Sequence, residues 1–141
     1  DEEADVKKKI MSMFTDPNHL RVQDPGRVEG NPVFIYLDAF SRPEHFEEFL
    51  PEYQNLDELK AHYQRGGLGD VKVKKFLNNV MQAELGPIRE RRKMWEQRTA
   101  DVFDILKAGT EVAREKAAAT LHDVRSSMRI NYFEDQDFLN Q

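Results

Sequence analysis

A run of glycines followed by lysines separates two predicted helices near the middle of the chain. The segment from Gly66 to Lys75 places three glycines before an aspartate and three lysines. Glycine adopts the left-handed backbone that ends a helix, and Asp70 is a residue type that caps the next one. Apolar residues then recur at helical spacing to about Arg98, the longest periodic segment of the chain. We therefore expect one long helix on which the other helices pack.

Shorter helices are predicted on both sides of the long one. Asn31 and Asn55 are residue types that begin helices, and Pro32 suits a first helical position. Pro87 interrupts the long helix and predicts a kink, because a proline removes one backbone hydrogen bond. The sequence thus predicts an all-α bundle of about six to seven helices around one long, Pro-kinked helix. The predicted helices cover residues 5–14, 32–40, 43–50, 56–65, 70–98, 99–109 and 110–130.

Four segments carry further structural expectations. The apolar run from Val33 to Phe40 has the composition of a strand or of a buried helix, and the lack of a second strand candidate favours the helix. The loop over residues 16–31 is expected to be held to the core by its apolar residues, which are Leu20, Val22 and Val28. Thr99 and Thr110 are predicted helix caps, and Gly109 a helix end. The last helix is expected to bury a stripe formed by Val112, Ala113, Ala117, Leu121, Val124 and Met128.

Charge is distributed unevenly along the chain. The formal net charge is −5, which argues against attraction of the whole molecule to nucleic acid or to an anionic membrane. Residues 69–98, however, carry eight Lys/Arg against four Asp/Glu, whereas both flanking segments are acidic. There is no cysteine and no apolar run of membrane-spanning length. A cytoplasmic protein without a membrane partner is expected.

The basic part of the long helix is the best candidate for a binding site. At helical spacing, Lys72, Lys75, Arg89 and Lys93 share one face, which would suit the neutralisation of phosphates. Arg91 and Arg92 lie nearer the apolar edge, where guanidinium groups would reach an unstacked base. Spacing alone leaves a solvated helix face as the alternative. For Lys74, RNA contact and a plain surface position are equally compatible with the sequence.

No pattern in the sequence predicts catalysis, a cofactor site or a metal site. The four histidines are far apart in sequence and contain no metal-binding pair, so surface or hydrogen-bonded side chains are expected. The acidic residues between Glu47 and Glu58 suit solvated helix faces. The glycines at 66–69 lack the lysine and hydroxyl residue of a phosphate loop.

The order of motifs resembles the C-terminal part of bacterial tryptophan–tRNA ligases, which are class I aminoacyl-tRNA synthetases. The resemblance covers about residues 5–133, and its strength lies in several motifs following one another at family-like spacing. The matching segments are Lys8–Pro17, Glu29–Phe34, Gly66–Lys72, Pro87–Arg92 and the helix around Ala113–Ala117. The nucleotide-binding signatures of the family, resembling His-Ile-Gly-His and Lys-Met-Ser-Lys-Ser, are missing. Because the chain also begins at Asp1 without methionine, we expect a piece of a larger enzyme.

The resemblance implies a division of the chain and a role for it. Residues 1–30 would be a helical linker that follows the nucleotide-binding domain, residues 31–133 an anticodon-binding helical domain, and residues 134–141 a tail. The expected partners are tRNA for tryptophan and the catalytic domain of the same chain, in a full-length homodimer that uses ATP and Mg²⁺. The isolated piece would be inactive. The alternative is a helical protein–protein interaction module, which an exposed apolar patch on the last helix would favour.

Overall fold

The computed structural model of the chain describes residues 1–132 and residue 140. In this part of the chain there are six α-helices and no strand, which confirms the predicted all-α class. Within the same residues, no helix is both long and apolar enough to cross a membrane. The helices are α1 (Glu3–Met11), α2 (Pro32–Phe40), α3 (Pro43–Phe49), α4 (Leu56–Arg65), α5 (Asp70–Glu96) and α6 (Thr99–Ser127).

The chain divides into two compact units, Asp1–Arg91 and Arg92–Gln141, and α5 contributes residues to both. The predicted linker over residues 1–30 and the predicted domain over residues 31–133 stay predictions. The predicted tail over residues 134–141 lies outside the described residues, apart from Asn140.

The core of the first unit lies between α5 and the short helices that precede it. The ring of Phe34 in α2 lies 4.9 Å from that of Tyr63 in α4, and the ring of Phe46 in α3 lies 4.7 Å from that of Phe76 in α5. The predicted apolar face of α5 is buried from its first turn to its middle. Its buried apolar residues are Val73, Phe76, Leu77, Val80 and Met81.

Local signals locate the starts of α2 and α4 correctly. The side chain of Asn31 accepts a hydrogen bond from the backbone N–H of Val33, and that of Asn55 accepts one from Glu58. These bonds satisfy N–H groups that have no partner inside the helix. The apolar run after Asn31 is a helix, as predicted, and not a strand.

Backbone hydrogen bonds and one apolar side chain, that of Val28, hold the loop before α2 to the first unit. Leu20 and Val22 are exposed, by 84% and 48%, so the expectation that they enter the core is wrong. Val28 is partly buried and packs on the core as predicted. The N–H of Gly67 donates to the carbonyl of Val22, and the N–H of Gly26 to that of Tyr63. This backbone pairing leaves the two loop side chains free to face outward.

The N-terminal helix begins two residues earlier and ends three residues earlier than predicted, and a lysine of α5 holds its end. Residues 5–14 were predicted as helix, but α1 ends at Met11, and Phe14 is 65% exposed. The ammonium group of Lys74 lies 3.2 Å from the carbonyl oxygen of Met11 and 2.7 Å from that of Met13. The alternative of a plain surface position is therefore wrong for Lys74, which is 9% exposed.

The long helix runs through Pro87 without interruption. A proline leaves the carbonyl four residues earlier without its helical partner, and here that residue, Ala83, is exposed, so water can serve the carbonyl. The residue after the proline, Ile88, is 52% exposed. The kink itself stays a prediction.

The second unit contains α6, which is one helix where two were predicted. Gly109 and Thr110 lie inside it. The hydroxyl of Thr110 donates to the carbonyl of Leu106, so this side chain bonds back within the helix instead of capping a new one. The N-terminal cap of α6 is Arg98, and Thr99 is already helical. No residue of α6 is buried, so the prediction of a buried apolar stripe is wrong.

Candidate nucleic-acid interface

The glycine turn positions the first residues of α5. Gly66 and Gly67 have φ angles of +89° and +100°, the left-handed region in which glycine is favoured. The helix begins at Asp70 itself, whose carboxylate accepts a hydrogen bond of 2.6 Å from the hydroxyl of Tyr63. Burial, together with this carboxylate, raises the pKa of Tyr63 well above its usual value. Asp70 is therefore the first residue of α5 and not the residue before it, and one of its carboxylate oxygens is held by Tyr63.

Lys72 and Lys75, two predicted site residues, follow in the first two turns. Lys72 forms an ion pair with Glu52, and its ammonium group lies 5.7 Å from the centre of the Tyr53 ring. Hydrogen bonding in this pair lowers the pKa of Glu52 and raises that of Lys72. Lys75 is exposed and pairs with no carboxylate among the described residues. It is the freer of the two cations.

Arg89 does not lie on an exposed basic face as predicted. Its side chain is 13% exposed. One terminal nitrogen, Nη2, lies 2.5 Å from Oε1 of Gln82 and 3.7 Å from Oε1 of Glu3. The other, Nη1, is buried and has no hydrogen-bond partner. Neighbours on α5 and α1 thus draw this guanidinium inward, which spacing along a single helix does not reveal.

The other three predicted site residues are exposed. Arg91 ends the first unit and forms no ion pair with the described residues. Arg92 and Lys93 begin the second unit. Arg92 pairs with Glu96 one turn later, at 2.7 Å. Such exposed ion pairs are weak and would exchange readily for a phosphate.

Lys72 and Lys75 line one cavity with a loop that the sequence did not single out. The cavity has a volume of about 500 Å³, and the loop contributes His19, Leu20 and Arg21 to its wall. Sequence reasoning missed these residues because nothing along the chain links them to α5. The sequence signal at this place is an apolar side chain, Leu20, in a polar loop, a pattern that equally fits a core residue.

Among the described residues, the other ionisable groups form no metal site. No group of three or more His, Cys, Asp or Glu among the described residues could hold a metal ion. His45 accepts a bond from the backbone of Arg42, and His62 is bonded to the hydroxyl of Tyr53 at 2.7 Å. Two of the four histidines are thus hydrogen-bonded as predicted.

In the second unit, α6 exposes an apolar face. At 100° per residue, five large side chains fall within about 60° of the helix circumference. They are 46–66% exposed and comprise Phe103, Leu106, Leu121, Val124 and Met128. They form two groups on the same face, one near the start of the helix and one near its end, and exposed apolar groups of this kind are a feature of interaction surfaces.

Comparison with known proteins identifies the relatives of this chain. No model of a known protein family matches it. It is, however, 57% identical over 133 residues to a tryptophan–tRNA ligase of Clostridium longisporum and 51% identical to one of Streptococcus mutans, in each case over 94% of its length. The chain is a homologue of tryptophan–tRNA ligases. The resemblance that its motifs suggested is thereby confirmed.

The chain spans only part of the tryptophan–tRNA ligases it matches. It covers 36% of the Clostridium relative and 37% of the Streptococcus one, in their C-terminal portion. A crystal structure of tryptophanyl-tRNA synthetase from Campylobacter jejuni has the same fold, with a TM-score of 0.65 over 91% of this chain and 38% of that one, at 23% identity. The helical architecture therefore agrees with that of a tryptophan–tRNA ligase.

Proposed function

We propose that this chain is the tRNA-binding C-terminal part of a tryptophan–tRNA ligase and that it contacts the anticodon arm. The observation that carries the proposal is the homology over 94% of the chain to proteins of that name. The parent enzyme would be a cytoplasmic homodimer. Its nucleotide-binding domain, on the same polypeptide, would use ATP and Mg²⁺ to activate tryptophan and would then esterify the tRNA.

The cations of the described surface support RNA binding. Lys75 and Arg91 are exposed and pair with no described carboxylate, while Lys72 and Arg92 are held only by exposed partners. Phosphate contacts by such groups release counterions, so binding should weaken steeply with salt. We expect Arg89 to contribute less than the other predicted residues, because its side chain is turned inward. Lys93 remains in the proposed set on its position alone.

The test is the affinity of the 141-residue chain for tRNA for tryptophan, measured over a series of salt concentrations. The comparison RNA carries altered anticodon bases. Wild-type chain should bind the cognate tRNA more tightly, and the slope of log affinity against log salt should fall by about one in Lys75→Ala. Lys8→Ala, which changes an exposed lysine of α1, is the matched control and should leave the slope unchanged. Binding that ignores the anticodon would refute the anticodon-arm assignment.

A substitution in the ion pair of Lys72 and Glu52 should change RNA binding in the opposite direction, towards tighter binding. Glu52→Gln should free Lys72, tighten RNA binding and steepen its salt dependence. The chain alone should show no ATP–pyrophosphate exchange, because its sequence lacks the nucleotide-binding signatures that the family resemblance leads us to expect in the catalytic domain. Exchange by the purified chain would overturn that part of the proposal.

The exposed apolar face of α6 favours a second candidate function, a helical protein–protein interaction module. The face would pack on another protein surface, such as the catalytic domain proposed above. Leu106→Gln should weaken binding of the separately purified nucleotide-binding part of a related ligase, measured by calorimetry. Lys107→Gln, an adjacent exposed change, serves as control. Equal binding by both variants would argue against the second function.

A further inference from the structure

One face of α6 carries no charge along its whole length. At about 100° per residue, one third of the helix circumference over Thr99–Ser127 includes no Lys, Arg, Asp or Glu. Along the middle of this face lie the five large apolar side chains described above and, between their two groups, Thr110, Ala113 and Ala117. We call these eight residues the α6 seam. All of them are exposed.

The α6 seam is bulky at both ends and narrow in the middle. Phe103 and Met128, near its two ends, are 66% and 63% exposed, whereas Ala113 and Ala117 lie between them. Two helices that cross at an angle are closest at the crossing point and diverge on either side of it. Small residues therefore suit the crossing point, and large residues fill the widening gap. The seam has the shape that receives a second helix crossing it near Ala113 and Ala117.

The α6 seam is also symmetric about its own middle. If a second α6 crosses it antiparallel at this point, the opposed pairs are Phe103 with Met128, Leu106 with Val124, Thr110 with Leu121, and Ala113 with Ala117. Each pair then occurs twice, because two identical subunits related by a two-fold axis use the same patch on both sides. An unrelated helix would not require the two halves of α6 to match. The symmetry therefore favours a second copy of this chain.

The polar groups at the α6 seam already have partners within the helix. The hydroxyl of Thr110 donates to the carbonyl of Leu106 at 2.7 Å, so it needs no bond from a second copy. Arg114, at the edge of the seam, pairs with Glu111 of the same helix at 3.4 Å. Covering the seam thus leaves no polar side chain of the seam unbonded, and this avoids the main cost of burying polar groups.

We propose that two copies of this chain associate through their α6 helices, which cross antiparallel at Ala113 and Ala117. The inference rests on the second candidate function, the protein–protein interaction module, and names a second copy as the partner. It concerns α6 alone and does not depend on the homodimer proposed for the parent enzyme.

The area of the α6 seam sets the expected strength of the association. Its five large side chains, each about half exposed, leave roughly 100 Å² each, or about 500 Å² per copy. A pair of helices would cover about 1,000 Å², which is the lower end for a specific interface. We therefore expect a reversible dimer with a dissociation constant in the micromolar range.

Two basic side chains border the α6 seam on the same edge. Antiparallel pairing brings Lys107 of one copy beside Arg125 of the other, and like charges there repel. The association should therefore strengthen with salt, which screens the repulsion, whereas RNA binding should weaken. Lys107→Glu makes both contacts attractive and should tighten the dimer about 10-fold. Lys116→Glu makes the same charge change on another side of α6 and should leave the dimer unaltered.

The first test is sedimentation equilibrium of the 141-residue chain over a concentration series that spans the micromolar range. Ala117→Gln should weaken the dimer about 10-fold or more, because a longer side chain at the crossing point forces the helices apart. Ala119→Gln makes the same change on the opposite side of α6 and is the matched control. Both alanines are exposed in one helix, so the two variants should have the same helical circular dichroism signal.

The second test is thiol cross-linking, which reports the direction of pairing because the chain has no cysteine of its own. With Lys107→Cys and Arg125→Cys in one chain, a short bismaleimide should join two copies. Lys107→Cys alone should give no cross-link, because antiparallel pairing separates the two thiols by about 27 Å, at a rise of about 1.5 Å per residue. Cross-linking of this single variant as efficient as that of the double variant would overturn the antiparallel pair.

The remaining outcomes separate the inference from the function on which it rests. A chain that stays monomeric throughout the micromolar range overturns the α6 pair. So does equal dimerisation of Ala117→Gln and Ala119→Gln, since the copies would then meet elsewhere. In either case the interaction module stands if Leu106→Gln still weakens binding of the nucleotide-binding part of a related ligase. A monomeric chain for which Leu106→Gln and Lys107→Gln bind that part equally overturns both.

Discussion

Replacing Lys74 by methionine should destabilise the first unit far more than the same change one residue later. Lys74 is a buried cation that contacts two carbonyl oxygens at the end of α1, at 3.2 and 2.7 Å. The carbonyl end of a helix carries partial negative charge, which the ammonium group offsets. Methionine keeps most of the apolar stem and removes both hydrogen bonds. The adjacent Lys75 is exposed and makes neither contact.

The expected magnitude follows from the two contacts. Hydrogen bonds to a charged group contribute about 1.5–3 kcal/mol each, and the two share one donor group, so we expect a loss of about 3 kcal/mol for Lys74→Met. Substitutions of exposed residues, such as Lys75→Met, change the free energy of unfolding by about 0.5 kcal/mol or less. With a urea dependence of about 1–3 kcal/mol per molar, the midpoint of Lys74→Met should fall by roughly 1–3 M.

The assay is urea unfolding followed by circular dichroism, with amide hydrogen exchange as a local probe. The N–H of Ser12, which bonds to the carbonyl of Lys8 at the end of α1, should exchange faster in Lys74→Met than in Lys75→Met. Equal midpoints for the two variants would refute the reasoning. So would slow exchange at Ser12 in both.

Two further substitutions test the loop and the last helix. Gly26→Ala should destabilise the first unit by about 1–3 kcal/mol in urea unfolding, because the added Cβ would lie 2.3 Å from the Tyr63 ring; an unchanged midpoint would contradict this close packing. Gly109→Ala should raise the helical circular dichroism signal and stabilise α6 by up to about 1 kcal/mol, because nothing lies within 4 Å of the new Cβ and the residue is inside one helix. A loss of helicity there would instead support two separate helices.

Signals that act over a few residues predicted the helices well. Asn31 and Asn55 cap α2 and α4 because a short side chain reaches backbone N–H groups two or three residues away. The paired glycines end α4 because their φ angles are positive. Local signals failed at Gly109 and Thr110, which lie inside α6 instead of ending one helix and beginning another. Glycine only weakly disfavours a helix, so the helix continues through it, and the Thr110 side chain bonds back to Leu106 within the helix.

Part of the candidate site also followed from the sequence. Lys72 and Lys75 were chosen from their spacing, and both line the cavity at the start of α5. His19 was not chosen, because no pattern along the chain marks a histidine whose nitrogens will lack partners. Arg89 was placed on the open face by helical spacing, but its surroundings include Glu3, which is remote in sequence.

The sequence by itself determined the helical class, most helix boundaries and the relationship to tryptophan–tRNA ligases, because these depend on periodicity, caps and motif order. Only the tertiary structure decided which of several residues of the same type became buried and which stayed exposed. Lys74 is buried against carbonyls 61 and 63 residues away, while neighbouring Lys75 faces solvent. Leu20 is apolar but stays outside the core, as do the apolar residues of α6. Burial depends on what other segments bring to the same place, and no single segment contains that information.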